Sequence, residues 1–259
     1  MGKYFTTSED TCAWVREREP RVMLAFSTGK DSIASWLQLR TFWDKPGEIV
    51  PVFQGGITSP DGKRQLGFIE RSLAYYEDFF GTRIYRITHP TQWRRLAETI
   101  YQPSHRHETI RLMQEYNVIP YFDGVEDANE RVRKCDDVGR LWVATGLRIT
   151  DSLTRRATIK RNGSAYPDKL LFYPIWDWTM PQLLEALDDA GVGLPLDYLW
   201  FGRSYEGFDY QTVSALREFA PDDYALLKTW YPLLDANLFR LEQRERLIAQ
   251  RTAQIGSLP

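Results

Sequence analysis

Two hydrophobic rhythms alternate along the chain. Short apolar runs of strand length, Val22–Phe26, Ile49–Phe53 and Leu141–Thr145, stand among stretches whose apolar residues recur at helical spacing. After the first run the chain breaks into Ser27-Thr28-Gly29-Lys30-Asp31-Ser32, and a helix is predicted from Asp31 to about Phe42. Pro46-Gly47 marks a turn, and the second run ends in Gln54-Gly55-Gly56. Leu66, Ile69, Leu73, Tyr76 and Phe80 share a helical face stopped by Gly81, and Arg83–Ile87 alternates like a third strand. Strand, helix, strand, helix, strand in that order predicts an α/β fold with a doubly wound, mostly parallel sheet.

The remaining pattern is helical. A short helix is expected at Ala13–Arg18 ahead of Pro20, another over Trp93–Val118 with a break at Tyr101–His107, and a third at Met180–Ala190. Asp123–Asp137 is charged, as a helix or a loop. In the tail, Val213–Phe219 and Leu238–Gln250 read as helices, with the apolar Leu226–Leu234 between them. Leu241, Arg244, Glu245, Leu247 and Ile248 make the last stretch amphipathic, suited to packing on the sheet or on a second subunit, so a homodimer is compatible with the sequence.

Composition narrows the function classes. With 259 residues, 43% hydrophobic and 14% aromatic, the chain can bury a core, which excludes global disorder. A formal charge of −2 supplies no overall field for nucleic acid, and the charged stretches at 60–72 and 126–137 are expected to be solvated faces. No apolar run approaches the roughly 20 residues that span a bilayer, so no membrane partner is expected. The acidic N-terminus lacks an apolar signal core, which points to the cytoplasm. Cys12 and Cys135 are the only cysteines, too few for a four-cysteine iron–sulfur or zinc site in one chain, and free thiols are expected. His105 and His107 lack a third ligand nearby and read as a solvated loop, and His89 reads as a strand end.

Two stretches carry candidate chemistry. In Ser27–Ser32 an apolar run gives way to hydroxyls, a glycine that lets backbone approach a ligand, and a helix start whose first amides favour an anion, most often phosphate. Lys30 adds a mobile positive charge; the plainer alternative is a βα turn with a serine cap. In Gly146–Arg156, Arg148 follows a strand end, with Arg155 and Arg156 about two helical turns later. Arginine forks bind phosphate and sulfate bidentately, and the alternative here is a basic surface helix paired with Asp151.

Ser27-Thr28-Gly29-Lys30-Asp31-Ser32 resembles the S-x-G-x-D-S pyrophosphate loop of the adenine nucleotide alpha-hydrolase (PP-loop ATP pyrophosphatase) superfamily, and no Walker A pattern surrounds it. Gly146-Leu147-Arg148 with Ser152 and Arg155 resembles the G-x-R-x-x-x-S-x-x-R segment of the phosphoadenylylsulfate (PAPS) reductase family within it. Phe172–Thr179 is similar to that family's P-x-x-D-W-T segment, and Leu199–Phe208 to its L-Y-x-x-G-x-x-S-x-G-C segment. The four segments occur in the family's order between residues 22 and 208.

The resemblance implies an adenine-nucleotide-binding domain over 1–208 and a helical C-terminal extension over 209–259. It implies a ligand, ATP or the sulfonucleotides PAPS or APS, held by Ser27, Thr28, Gly29, Lys30, Asp31, Ser32, Gly146, Arg148, Ser152, Arg155 and Arg156. Lys30, Asp31 and Arg148 are the implied catalytic residues, with Asp31 helping to hold Mg2+, while the two cysteines argue against an iron–sulfur cluster. Three departures bear on the reaction. Phe208 stands where the family often has cysteine, no cysteine follows Cys135, and Gln54-Gly55-Gly56 replaces aspartate-threonine-glycine. A reductase needs a thiolate, and Cys135, beside Arg131, Arg133 and Lys134, is its one candidate here, with a bystander thiol as the alternative. The expectation is therefore cleavage of ATP to AMP and pyrophosphate, adenylylating an acceptor that is a small molecule or a nucleic acid. Sulfonucleotide reduction or sulfur transfer, including nucleic-acid sulfur modification, is the first alternative, and a nucleotide-binding regulator without turnover is the second.

Overall fold

A computed structural model describes residues 2–55, 64–88, 141–205, 209–232 and 234–256. The expectations for Gly56, His89, residues 93–118, His105, His107, residues 123–137 with Cys135, and Phe208 lie outside the described residues.

The chain forms two compact units. Among the described residues, the first comprises 2–54, 72–87 and 141–195. Along the chain come helix α1 (Ser8–Arg16), strand β1 (Val22–Phe26), α2 (Lys30–Arg40), β2 (Ile49–Gly55), α3 (Gly67–Phe80), whose residues up to Arg71 belong to the second unit, and β3 (Tyr85–Thr88). Strand β4 (Trp142–Ala144), α4 (Leu153–Asn162), β5 (Ala165–Tyr166), β6 (Leu171–Phe172) and α5 (Met180–Ala190) follow. The sheet order is β3-β2-β1-β4-β6-β5. β1 runs parallel to both β2 and β4, β4 runs parallel to β6, and β5 is antiparallel to β6.

A mostly parallel sheet of this kind needs strands that are apolar on both faces, and β1 fits: Val22, Met23, Leu24 and Phe26 are buried. Chain order reverses at β1, with β2 and β3 on one side and β4, β6 and β5 on the other. Right-handed crossovers leaving in opposite directions put helices on both faces, which is the doubly wound arrangement expected. Met23, Val50, Val52, Leu141 and Val143 form one core cluster. Elsewhere in the core Trp36 of α2 stacks on Phe80 of α3 with ring centroids 3.9 Å apart. α1 starts earlier than its apolar pattern suggests, because Thr7 and Asp10 form a reciprocal capping box at its N-terminus.

The second unit includes α6 (Leu196–Phe201), α7 (Tyr210–Phe219), α8 (Pro221–Trp230) and α9 (Leu234–Gly256), together with residues 64–71. Its part of the tail begins at Leu196. The apolar stretch from Leu226 is the second half of α8, which buries Tyr224, Leu227 and Trp230. Helix α7 packs against α6, α8 and α9. Phe68 meets the rings of Trp200 and Tyr205, and Asp223 accepts hydrogen bonds from the amides of Gly67 and Phe68. No helix among the described residues is long and apolar enough to cross a membrane.

Candidate functional site: two loops at the strand switch point

Ligands of open α/β sheets sit beyond the carboxyl ends of strands where chain order reverses, here the adjacent strands β1 and β4. The Ser27–Ser32 loop leaves β1 at that end, and the Thr145–Ser152 loop leaves β4 beside it.

The first loop is braced by its own hydroxyls. Ser32 Oγ donates to the Gly29 carbonyl (2.8 Å) and accepts from the Ser27 amide (3.2 Å), and Ser27 Oγ accepts from the Gly29 amide (3.4 Å). Thr28 adopts φ 60°, a left-handed conformation that is costly for a β-branched side chain, and its Oγ1 donates to the Ser27 carbonyl (2.6 Å). Gly29 sits at φ −73° as the N-cap of α2 and provides no side-chain cap. The conformational strain in this loop therefore lies at Thr28, although the sequence places its glycine at 29. An α2 start without a side-chain cap leaves its amide end suited to an anion.

The second loop is fitted against the first. A Cβ on Gly146 would lie 2.7 Å from the Asp31 carbonyl oxygen, so only glycine allows this approach. Arg148 is buried, 2% exposed, and its fork is divided between the loops: Nε donates to Asp31 Oδ1 (2.8 Å), and Nη2 pairs with Asp151 Oδ1 (2.6 Å). Asp31 Oδ2 also meets Lys30 Nζ (2.8 Å), and Asp151 Oδ2 meets Arg155 Nη1 (2.5 Å). The chain Lys30–Asp31–Arg148–Asp151–Arg155 thus links α2 to α4, with three cations and two carboxylates leaving one net positive charge. A buried guanidinium left without a carboxylate partner costs several kcal/mol, so the two aspartates hold it in place.

The 172–179 stretch supports this loop from below. The Trp178 carbonyl accepts from Thr150 Oγ1 (3.3 Å) and from Arg148 Nη1 (3.5 Å), and the Trp176 carbonyl accepts from the Ile149 amide (2.7 Å). Thr179 forms a capping box with Gln182 at the start of α5. Asp177 accepts from the Ser8 amide (3.1 Å), which ties α1 to the same stretch.

The structure brings Ser27, Thr28, Gly29, Lys30, Asp31, Ser32, Gly146 and Arg148 together. Ser152 is the N-cap of α4, its Oγ accepting from the Arg155 amide (3.2 Å), while Arg155 and Arg156 are exposed on that helix. Asp151, which the sequence offers only as the partner of a basic surface helix, pairs with the exposed Arg155 as that alternative expects and also with the buried Arg148. As a ligand for a resident Mg2+, Asp31 does not fit, because both its oxygens already face cations and no cluster of three acidic, histidine or cysteine side chains exists among the described residues. Cys12 is fully buried, and burial, reinforced by the charges of Asp177 and Glu9, pushes its thiol far above the ordinary range. It is no nucleophile.

No family model matches the sequence, and the search of curated proteins gives no match either. Among solved structures the chain is similar to phosphoadenylyl-sulfate (PAPS) reductase from Candida auris in a phosphate complex. That likeness has 12% identity and a TM-score of 0.45, covering 76% of this chain and 85% of that one. It is also similar to the U34-tRNA thiolase NcsA from Methanococcus maripaludis with its 4Fe–4S cluster (10% identity, TM-score 0.43, covering 88% and 78%). A third likeness is to the NH3-dependent NAD synthetase from Campylobacter jejuni in complex with the nitrate ion (16% identity, TM-score 0.40, covering 97% and 96%).

Proposed function

We propose that this protein is an adenine-nucleotide enzyme that cleaves ATP between the α and β phosphates, passes AMP to an acceptor and releases pyrophosphate. The observation that carries the reading is the meeting of two loops at the switch point. One has a strained threonine and an uncapped helix start, and the other delivers a buried arginine to it. Strain persists where surrounding structure over-determines it, and such sites are commonly functional.

In this reading the α2 amides and the loop hydroxyls receive the leaving pyrophosphate. An acceptor atom attacks the α-phosphorus, the bond to the bridging oxygen breaks, and the electron pair leaves with pyrophosphate. Lys30 neutralises the charge that develops there. Arg148, already committed to Asp31 and Asp151, acts by holding the two loops in register. Arg155 and Arg156, exposed on α4, take the outer phosphates or an anionic acceptor. Magnesium enters with the nucleotide as part of the substrate.

The test is incubation with ATP labelled at the α-phosphate, with and without candidate acceptors, following AMP and pyrophosphate. Lys30→Ala is expected to lower turnover about 100-fold, the range for losing one preorganised donor of charge stabilisation. Unchanged turnover overturns the assignment. The Gly146, Arg148, Ser152 and Arg155 spacing equally favours a sulfonucleotide in this site. That reading requires Cys135, since Cys12 is buried, so turnover of PAPS or APS that disappears in Cys135→Ser would replace the first reading. Tight nucleotide binding with no turnover of either would mark a regulator.

A further inference from the structure

Among the described residues, helix α9 is anchored over its first half. Leu234 and Leu238 are buried, and Arg217 of α7 donates to Glu242 (2.9 Å). From Arg244 to Thr252 every side chain is exposed, including Leu247 at 56% and Ile248 at 46%. The segment continues an anchored helix of 23 residues and carries two large apolar side chains into solvent. The exposed stretch therefore calls for cover.

The pattern of one face says what the cover is. Leu241, Arg244, Glu245 and Ile248 are spaced i, i+3, i+4, i+7 and lie on one side of α9. Read forwards, that face is apolar, cationic, anionic, apolar. A two-fold axis between Arg244 and Glu245 brings Leu241 opposite Ile248 of the second copy and Arg244 opposite Glu245. Each pairing occurs twice, once from each copy, as an isologous interface requires. A parallel pairing in register would instead set Arg244 against Arg244. Among the described residues neither Arg244 nor Glu245 takes part in an ion pair, so both charges are available for the partner.

We infer that the second half of α9 is a homodimerisation surface, in which two copies of this chain pair their α9 helices antiparallel about the point between Arg244 and Glu245. Two central ion pairs fix the direction and register, and the flanking leucine–isoleucine pairs supply the apolar contact. The inference is independent of the nucleotide reading, because it uses no residue of the loop site.

Sedimentation equilibrium on the full chain tests it. One copy has a mass of 30.3 kDa, and the wild type is expected to reach twice that mass with rising concentration. Glu245→Arg sets arginine against arginine at both central positions and is expected to weaken association at least tenfold. The double variant Arg244→Glu, Glu245→Arg exchanges the charges and restores the two-fold complementarity, so it is expected to recover the dimer. Both substitutions are on exposed positions, and circular dichroism checks that helix content is kept. A wild type that stays monomeric at all concentrations overturns the inference. So does a dimer indifferent to Glu245→Arg, which places the interface elsewhere, or a failure of the exchanged pair to rescue.

Discussion

Thr28 and Gly146 show how single residues fix the site. Left-handed backbone at a β-branched residue costs of order 1–3 kcal/mol, and here it turns the chain from β1 into α2 while Thr28 Oγ1 bonds back to the Ser27 carbonyl. Gly146 is required for a different reason, the close approach of another backbone. Its added Cβ would meet both the carbonyl oxygen and the carbonyl carbon of Asp31, at 2.7 and 2.8 Å, and neither atom can swing away as a side chain would. Gly146→Ala is therefore expected to lower stability by about 1–3 kcal/mol, the usual cost of overpacking. It should also remove most of the thermal stabilisation that added ATP gives the wild type, as measured by melting temperature with and without nucleotide. Retention of the full ligand-induced shift would separate the two loops from nucleotide binding.

At the scale of elements, the connection from α3 to β3 is held by one carboxylate. Glu77 accepts from Arg86 through both guanidinium nitrogens (2.9 and 3.2 Å) and from the Ile84 amide (2.8 Å). The Arg86 hydrogen bonds, aided by the Ile84 amide, hold the Glu77 carboxyl below its ordinary range despite partial burial. A depressed folded-state value means that the stabilisation is complete above the unfolded value, near 4.3. It is lost as pH falls through the folded one. Glu77→Gln is expected to cost roughly 0.5–1 kcal/mol at neutral pH, the range of a partly exposed pair. That difference from wild type should close in acid, as read from urea midpoints along the acid limb. A gap that persists unchanged to low pH would assign the effect to packing. The same scale explains why α4 is legible only in part: its N-cap Ser152 is visible in sequence, but a helix with Ile159 as its only buried residue has almost no apolar stripe to find.

For the whole molecule, the long-range caps carry the contacts that no local pattern announces. Helix α3 starts at Gly67 after Arg64-Gln65-Leu66, with no serine, threonine, aspartate or asparagine at its threshold. Its first amides are served by Asp223, 156 positions away in α8 and 7% exposed. Asp223→Ala leaves two amides without their acceptor and is expected to cost about 2 kcal/mol in unfolding free energy, with Asp223→Asn costing less. Equal losses in the two variants would show that the carboxylate serves a charge and not a cap.

The sequence by itself determined the α/β alternation, the strands β1, β2 and β4, the limits of α5 and the loop at Ser27–Ser32. Each is written in local periodicity, a cap or a contiguous motif, and burial then acts on the pattern already present. Only the tertiary structure decided that Arg148 is buried between Asp31 and Asp151, that Asp177 ties α1 to the 172–179 stretch, and that Asp223 caps α3. Those partners lie more than a hundred positions apart, except for the Asp151 turn. A free arginine and a paired one look alike in sequence. What separates them is the low-dielectric surroundings that make an uncompensated charge too costly to keep, and those surroundings exist only once the strands have placed both loops at one end of the sheet.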